Sequence, residues 1–201
     1  MTSKGCVLIY VTAAAVVVGL SATARADEPL RVTGGQVAVV CPLTIGGSFE
    51  AKTKNLTGDL AVDESNPQAV KGAIAVDLQS LETGIGLRDK HLKSNYLEVN
   101  KGPQYSEARL HDIRIDRLEG KTPFRGILTL HGQQKEVTGT AQIKPEGGGY
   151  RMEATFPVRV ADFQIPDPTY LGVGVADEVV VRVNLNAAPA SATAVGTSGK
   201  K

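Results

Sequence analysis

The sequence predicts an all-β fold of about eight antiparallel strands with one short helix. Between residues 30 and 186, apolar and polar residues mostly alternate with a period of two, as in strands that bury one face and expose the other. Turn-forming stretches such as "DESNP", "EGK" and "PEGGG" separate these segments. A helix is expected only near residues 89–97.

The alternation is clearest in "RMEATFPVRV", residues 151–160, where every even-numbered position is apolar. The same pattern marks the segments 37–43, 56–62, 74–78, 111–115, 124–130, 137–143 and 179–185. Strands of this kind form either a two-sheet sandwich, whose interior is filled by side chains, or a closed barrel. A barrel of about eight strands is just wide enough to hold one small or slender ligand, so the choice matters for function.

The N-terminal segment, residues 1–26, is typical of a secretory signal peptide. Lys4 precedes an apolar run from Val7 to Leu20, and "ATARA" offers a small-residue cleavage site after Ala26. The run is shorter than the ~20 residues that a membrane span requires. We therefore expect a mature chain that begins at Asp27, is periplasmic or secreted, and has no transmembrane span.

The charge balance is nearly neutral. The chain has 22 Lys and Arg against 21 Asp and Glu, and cleavage would remove Lys4 and Arg25 but no acid, leaving 20 against 21. This balance gives no reason to expect a nucleic-acid partner. Residues 27–186 contain no linker and no repeat, which predicts a single domain. Residues 187–201 are rich in Ala, Ser, Thr and Gly and are expected to form a disordered tail.

Cys41 is the only cysteine of the expected mature chain, which excludes an internal disulfide. It alternates with Val37 and Val39 on the apolar face of a predicted strand. A buried thiol is therefore expected rather than a reactive one.

Several known site patterns are incomplete in this chain. The three histidines have neither the short spacing nor the acidic or cysteine neighbours of a metal site. "GGSFE" around Ser48 does not complete the G-x-S-x-G motif of serine hydrolases. "GIGLRD" and "GVGVAD" lack the third glycine and the following helix of a dinucleotide-binding turn. No metal and no nucleotide cofactor is expected.

Three motifs follow one another in a specific order. They are Ser80-Leu81-x-Thr83-Gly84 at the end of a strand, then Arg88-Asp89-x-His91-Leu92-x-Ser94, and later Leu128-Thr129-Leu130-His131-Gly132 with Lys135 shortly after. In this order and spacing they resemble the YceI-like family of bacterial polyisoprenoid-binding proteins. The resemblance implies an eight-stranded antiparallel, lipocalin-like barrel, exported to the periplasm, that binds a long isoprenoid chain in its interior. It also implies a binding protein rather than an enzyme, with no cofactor other than a bound isoprenoid lipid or quinone.

Strand alternation predicts which side chains of such a barrel would contact the lipid tail. Each buried methylene contributes about 0.8 kcal/mol, so one five-carbon unit contributes roughly 4 kcal/mol against an association cost of about 4–15 kcal/mol. Several units in an apolar tunnel are therefore needed for micromolar binding. The expected lining residues are Ile74, Val76, Leu78, Ile113, Ile115, Leu128, Leu130, Phe156, Val158, Val181 and Val183.

A run of charged residues, Arg88, Asp89 and His91, interrupts the strand pattern just after Gly84 and Gly86. These glycines would let the chain turn sharply out of its strand to the barrel mouth. In a structural interpretation, Arg88 and Asp89 pair with each other or with backbone at the start of a helix that plugs the barrel. In a functional one, Arg88 or His91 binds the polar head of the lipid, a diphosphate or a quinone oxygen.

The other two histidines belong to predicted strands. His111 shares its face with Ile113 and Ile115, which predicts an inward position near the rim, beside the lipid head. His131 follows Leu130 at a strand end and is expected on the outer face, where it would make a hydrogen bond.

The sequence thus predicts an exported protein that carries, stores or sequesters an isoprenoid or similar lipid. Two other classes of function remain open. An enzyme acting on such a lipid would use His91 and Asp89 as acid and base. A structural partner of an envelope complex would have an exposed apolar patch over a filled interior.

Overall fold

The computed structural model describes residues 29–63, 66–166, 169–170 and 173–191. It is an antiparallel β-barrel with a short helical segment across one end, which confirms the predicted fold class. The predicted signal peptide lies outside the described residues. In the part of the chain that the structure describes, no helix has the length and apolar character needed to span a membrane.

The elements are as follows. The strands are β1 (Leu30–Pro42), β2 (Ser48–Thr53), β3 (Leu56–Asp63), β4 (Asn66–Asp77), β5 (Glu107–Ile115), β6 (Gly120–Leu130), β7 (Gln133–Glu146), β8 (Gly149–Arg159), β9 (Thr169–Tyr170), β10 (Val173–Gly174) and β11 (Glu178–Pro189). The helical elements are α1 (Gly86–His91), a π-helical turn (Leu92–Tyr96), α2 (Pro103–Ser106), and 3₁₀ turns at Leu78–Ser80, Val99–Lys101 and Val160–Phe163.

The barrel closes because its first and last strands pair. The order of strands around the sheet is β11-β8-β7-β6-β5-β4-β3-β1, and β1 returns to β11. Strands β2 and β3 lie along β1 in one continuous register, with Val37 opposite Thr53 and Leu30 opposite Leu60. They therefore act as a single interrupted strand, which makes eight barrel strands in all.

Two glycines permit backbone geometry that other residues would not. His131 and Gly132 form the two-residue turn between β6 and β7 with φ values of 51° and 74°, as the favoured hairpin turn requires. At Gly139 in β7, a Cβ atom would lie 2.6 Å from the Phe156 Cβ and 2.8 Å from the Phe124 ring. The missing side chain leaves room for the perpendicular contact between those two rings, whose centroids are 5.6 Å apart.

Residues 84–97, here called the lid, cross the end of the barrel where β1 and β4 finish. Gly84, with φ of 80°, turns the chain away from the barrel wall before α1 begins. Asp89 lies in the first turn of α1, where a negative charge stabilises the helix. The helix predicted near residues 89–97 is confirmed, and it begins three residues earlier than expected, at Gly86.

The last strand is longer than predicted. β11 continues to Pro189, which pairs with Leu30 of β1. Its final residues, which the predicted tail included, thus belong to the barrel wall. The rest of the predicted tail, residues 192–201, lies outside the described residues.

Candidate functional site

A cavity of about 660 Å³ occupies the interior of the barrel. It extends from Ile85 and Leu92 in the lid to Val62 and Leu118 at the opposite end. Its volume lies within the range of ~300–1,000 Å³ that is typical of small-molecule sites. The interior is therefore a ligand-sized space, which the sandwich alternative would have filled with side chains.

The eleven apolar residues predicted to line a tunnel all line this cavity. Ten of them are on barrel strands, where period-two alternation turns every second side chain inward. Leu78 is the exception, since it begins the 3₁₀ turn after β4, yet it is buried and also faces the cavity. The lining is observed, and contact with a lipid stays a prediction.

Further lining residues were not predicted. The lid contributes an apolar face with helical spacing, formed by Ile85, Leu92 and Tyr96. At the opposite end, Tyr150 and Met152 line the cavity from β8. The lid residues could have been found by the helical spacing of 85, 92 and 96. The alternation of residues 151–160 already put Met152 on the apolar face, and extending it by one step finds Tyr150.

Polar side chains occur chiefly at the two ends of this cavity. In the described part of the chain, Arg88, His91, Tyr96 and Thr169 line it at the lid end and Tyr150 lines it at the opposite end. The Tyr96 hydroxyl donates to the Thr169 carbonyl oxygen at 3.1 Å. The Cys41 thiol lines the cavity near the lid end, one residue before β1 finishes, and the long middle section is lined by aliphatic and phenyl side chains. Such a lining matches a ligand that is apolar along its length and polar at an end.

Thr83 joins the two charged side chains at the start of the lid. Its hydroxyl donates to Asp89 Oδ1 at 2.5 Å and accepts from Arg88 Nε at 2.9 Å. The Thr83 amide also donates to Asp89 Oδ1 at 2.7 Å, and Arg88 Nη2 donates to the Thr83 carbonyl at 3.0 Å. These four bonds, here called the Thr83 clasp, provide the backbone anchoring that the structural interpretation of the cluster requires.

The clasp also fixes the charge state of Asp89 and the position of Arg88. Burial raises the pKa of the Asp89 carboxyl, but the hydrogen bonds from Thr83 and the charges of Lys93 and Arg88 lower it by more. The net pKa is below its ordinary value, so the carboxylate is ionised at neutral pH. The Arg88 guanidinium lies over the Phe49 ring, 4.1 Å from its centroid, and thereby covers the cavity wall.

The inward position predicted for His111 is wrong. Its Nε2 lies 3.4 Å from the Thr129 hydroxyl and its Nδ1 lies 3.0 Å from Asp112 Oδ2, and it does not line the cavity. The cause is a β-bulge between His111 and Arg114, with Asp112 in the left-handed region at φ of 50°. The extra residue reverses the alternation, so Leu110 faces inward before the bulge and Ile113 after it.

His131 makes the hydrogen bond expected at the strand end, although it is buried. Its Nδ1 lies 3.1 Å from the Phe163 carbonyl and its Nε2 lies 3.3 Å from Glu98 Oε2. The Tyr105 ring packs edge-on against the imidazole, with ring centroids 4.7 Å apart. Glu98 also forms a salt bridge with Lys101, whose Nζ lies 2.6 Å from Glu98 Oε1. His131 therefore ties α2 and two 3₁₀ turns to the β6–β7 hairpin, outside the cavity.

Cys41 is buried, as predicted, and lines the cavity. Burial raises the pKa of its thiol from 9.0 to about 11, and the charge of Arg88 only partly opposes this. Within the described residues, no group of three His, Cys, Asp or Glu side chains is arranged to hold a metal ion. The chemistry that the cavity offers is therefore apolar contact along its length and hydrogen bonding at its ends.

Comparison with known proteins identifies the family. The YceI-like domain matches residues 30–187, from the start of β1 to the end region of β11. The chain belongs to the YceI-like family. This YceI-like chain is also similar to a UPF0312 protein of Vibrio parahaemolyticus, with 31% identity over 169 residues that cover 79% of this chain and 88% of the relative.

Solved structures share the fold. The crystal structure of Burkholderia cenocepacia BcnA is similar with a TM-score of 0.63 and 18% identity, covering 76% of this chain and 95% of that protein. A polyisoprenoid binding domain from Saccharophagus degradans, implicated in plant cell wall breakdown, is similar with a TM-score of 0.60 and 14% identity, covering 82% of this chain and 99% of the domain. At these identities the likeness concerns the YceI-like barrel alone.

Proposed function

We propose that this YceI-like protein is exported and binds an isoprenoid or a similar amphipathic lipid inside its barrel, for carriage, storage or sequestration. The observation that carries the proposal is the cavity of about 660 Å³, apolar along the barrel and polar at its ends. An apolar chain gains free energy from every methylene that it buries there. A small polar metabolite would leave its polar groups without partners in the middle section.

The name of one structural neighbour supports the same class of ligand. The Saccharophagus degradans domain, whose fold this chain shares, is described as a polyisoprenoid binding domain. At the lid end, His91 and Tyr96 are the side chains that would meet the head of such a lipid, whereas Arg88 is held in the Thr83 clasp.

Binding is favoured over catalysis by the state of Asp89. In the catalytic alternative Asp89 would be the general base, which works best with a pKa near the operating pH, whereas the lowered pKa of Asp89 makes its carboxylate a weak base. Its Oδ1 also accepts two hydrogen bonds from Thr83, which serve to hold the lid. A role of Asp89 and His91 as acid and base therefore has less support than a structural role of Asp89.

Mass spectrometry of co-purified lipid tests the proposal. The protein is purified from its native envelope without detergent, and solvent extracts are compared with those of the Val181→Trp variant, whose cavity is obstructed. We expect a prenyl-chain lipid near one per protein in the wild-type extract and strongly depleted in the variant extract. Identical extracts from the two proteins would contradict a ligand inside the barrel.

A further inference from the structure

The exposed large apolar side chains of the described residues all lie at the lid end of the barrel. They are Ile45, with 72% of its surface exposed, Ile85 with 54% and Leu87 with 55%. Isolated exposed apolar residues are common on proteins, but a group at one end of a ligand cavity is not expected by chance. These three residues, with the exposed Lys90 beside them, are here called the mouth surface.

The mouth surface is held in place by hydrogen bonds to the barrel. Ile45 is at the tip of the β1–β2 turn, which Thr44 fastens to Gly174 through its amide, at 2.9 Å, and its hydroxyl, at 3.1 Å. The strand that leaves this turn is bonded to the segment before the lid, since Lys52 and Glu82 exchange backbone bonds of 2.8 and 2.9 Å. The turn and the lid thus border the same end of the barrel.

Two of these exposed residues also belong to the cavity wall. Ile85 and Leu87 line the cavity while half of their surface faces solvent, and Leu43 lines it beside the turn of Ile45. The apolar surface is therefore continuous from the barrel interior to the outside. A lipid tail that moved along it would stay in contact with apolar side chains throughout.

The net positive charge of the lid indicates a partner with an anionic surface. Residues 84–97 contain three cations, Arg88, Lys90 and Lys93, and one carboxylate, Asp89, in a chain that is otherwise close to neutral. Cations beside exposed apolar side chains are the pattern of proteins that lie on anionic lipid surfaces. We infer that the mouth surface docks on a lipid bilayer carrying anionic headgroups, and that the bound lipid passes between bilayer and barrel there. The passage of lipid rests on the proposed function, whereas the docking can be tested without it.

Vesicle flotation tests the docking. The full-length mature protein is mixed with vesicles of equal parts phosphatidylglycerol and phosphatidylcholine, or of phosphatidylcholine alone. We expect binding to the anionic vesicles that weakens as salt is added. Ile45→Ser should lower the partition coefficient about tenfold by removing buried apolar surface. Lys90→Gln should lower it about fivefold by removing one cation.

Matched controls separate docking from other causes. Lys144→Gln removes an exposed cation at the opposite end of the barrel and should leave vesicle binding unchanged. Ile45→Trp should strengthen binding, because indole side chains favour the membrane interface. Ile45 does not line the cavity, so Ile45→Ser should bind dissolved farnesol, a short isoprenoid alcohol, with the wild-type affinity.

Three results would overturn the inference. The first is a wild-type protein that does not bind anionic vesicles, and the second is a set of variants at Ile45 and Lys90 that bind them like wild type. A wild-type dimer in sedimentation velocity that Ile45→Ser dissociates would also overturn it, because a second copy would then occupy the surface. Failure of the proposed function is a different result, namely that the wild-type protein binds no farnesol while vesicle binding behaves as described.

Discussion

Val181 lies on β11 between Val39 of β1 and Phe156 of β8, and all three side chains line the cavity. Its neighbour Val180 is on the other face of the same strand, opposite Val40 and Pro157, and does not line the cavity. Because one strand carries both environments at adjacent positions, this pair of valines offers a matched comparison between the interior and the outer wall.

Val181→Trp should compete with ligand for the interior of the barrel. An indole fills space that the lipid tail would use, and we expect the affinity for farnesol to fall at least tenfold, equivalent to a loss of about 1.4 kcal/mol. Val180→Trp should bind farnesol like wild type. Titration calorimetry measures both affinities, and circular dichroism checks that both variants are folded. Wild-type affinity in a folded Val181→Trp protein would place the ligand outside this cavity.

Cys41 should report on the interior through its reactivity. Burial raises the pKa of its thiol from 9.0 to about 11. Since maleimides attack the thiolate, this difference lowers the reactive fraction at about pH 8 by roughly a hundredfold, and the rate should rise steadily as the pH approaches 11. Saturation with farnesol should slow labelling further. The control is the mature protein unfolded in guanidinium, and equal rates in the folded and unfolded states would contradict a buried thiol.

At the scale of elements, the β-bulge in β5 shows where a strict period of two fails. Alternation correctly placed the lining residues of β6, β8 and β11, because uninterrupted strands preserve the period of two. It misplaced His111, because one extra residue at Asp112 reverses the faces. The signal was present in the sequence, since the apolar positions change from Ala108 and Leu110 to Ile113 and Ile115. The sequence also predicted a helix near residues 89–97, but the partners of its charged side chains depend on contacts that only the folded chain defines.

The Thr83 clasp leads to a prediction about the lid. Arg88 donates to the Thr83 hydroxyl and carbonyl and covers Phe49, so Arg88→Ala should loosen the lid and lower the melting temperature by a few degrees. Farnesol and farnesyl diphosphate should then be weakened alike. Lys90→Ala, which removes an exposed cation from the same helix, serves as the control. A loss of roughly ten- to a hundredfold for the diphosphate alone would instead assign Arg88 to the lipid head.

At the scale of the whole molecule, export is the part of the proposal that depends on residues 1–26. The apolar run and the "ATARA" stretch predict cleavage after Ala26. We expect the protein isolated from the producing cells to begin at Asp27, as measured by N-terminal sequencing, and to be recovered in the periplasmic or culture fraction. Replacing Ala24 and Ala26 by bulky residues should leave the precursor uncleaved. A purified wild-type protein that begins at Met1 would contradict the prediction.

The pairing of β1 with β11 has a consequence for how the chain reaches its final shape. Val40 pairs with Val180 and Leu30 with Pro189, so the contacts that close the wall join the two ends of the domain. Such distant pairings form slowly, because a long loop must close before they can stabilise anything. Until β11 is available, β1 and β8 are open edges beside an apolar groove. A nascent chain therefore cannot complete the barrel until β11 has been synthesised. Under the proposed export, this delay would favour passage through a translocation channel in the unfolded state.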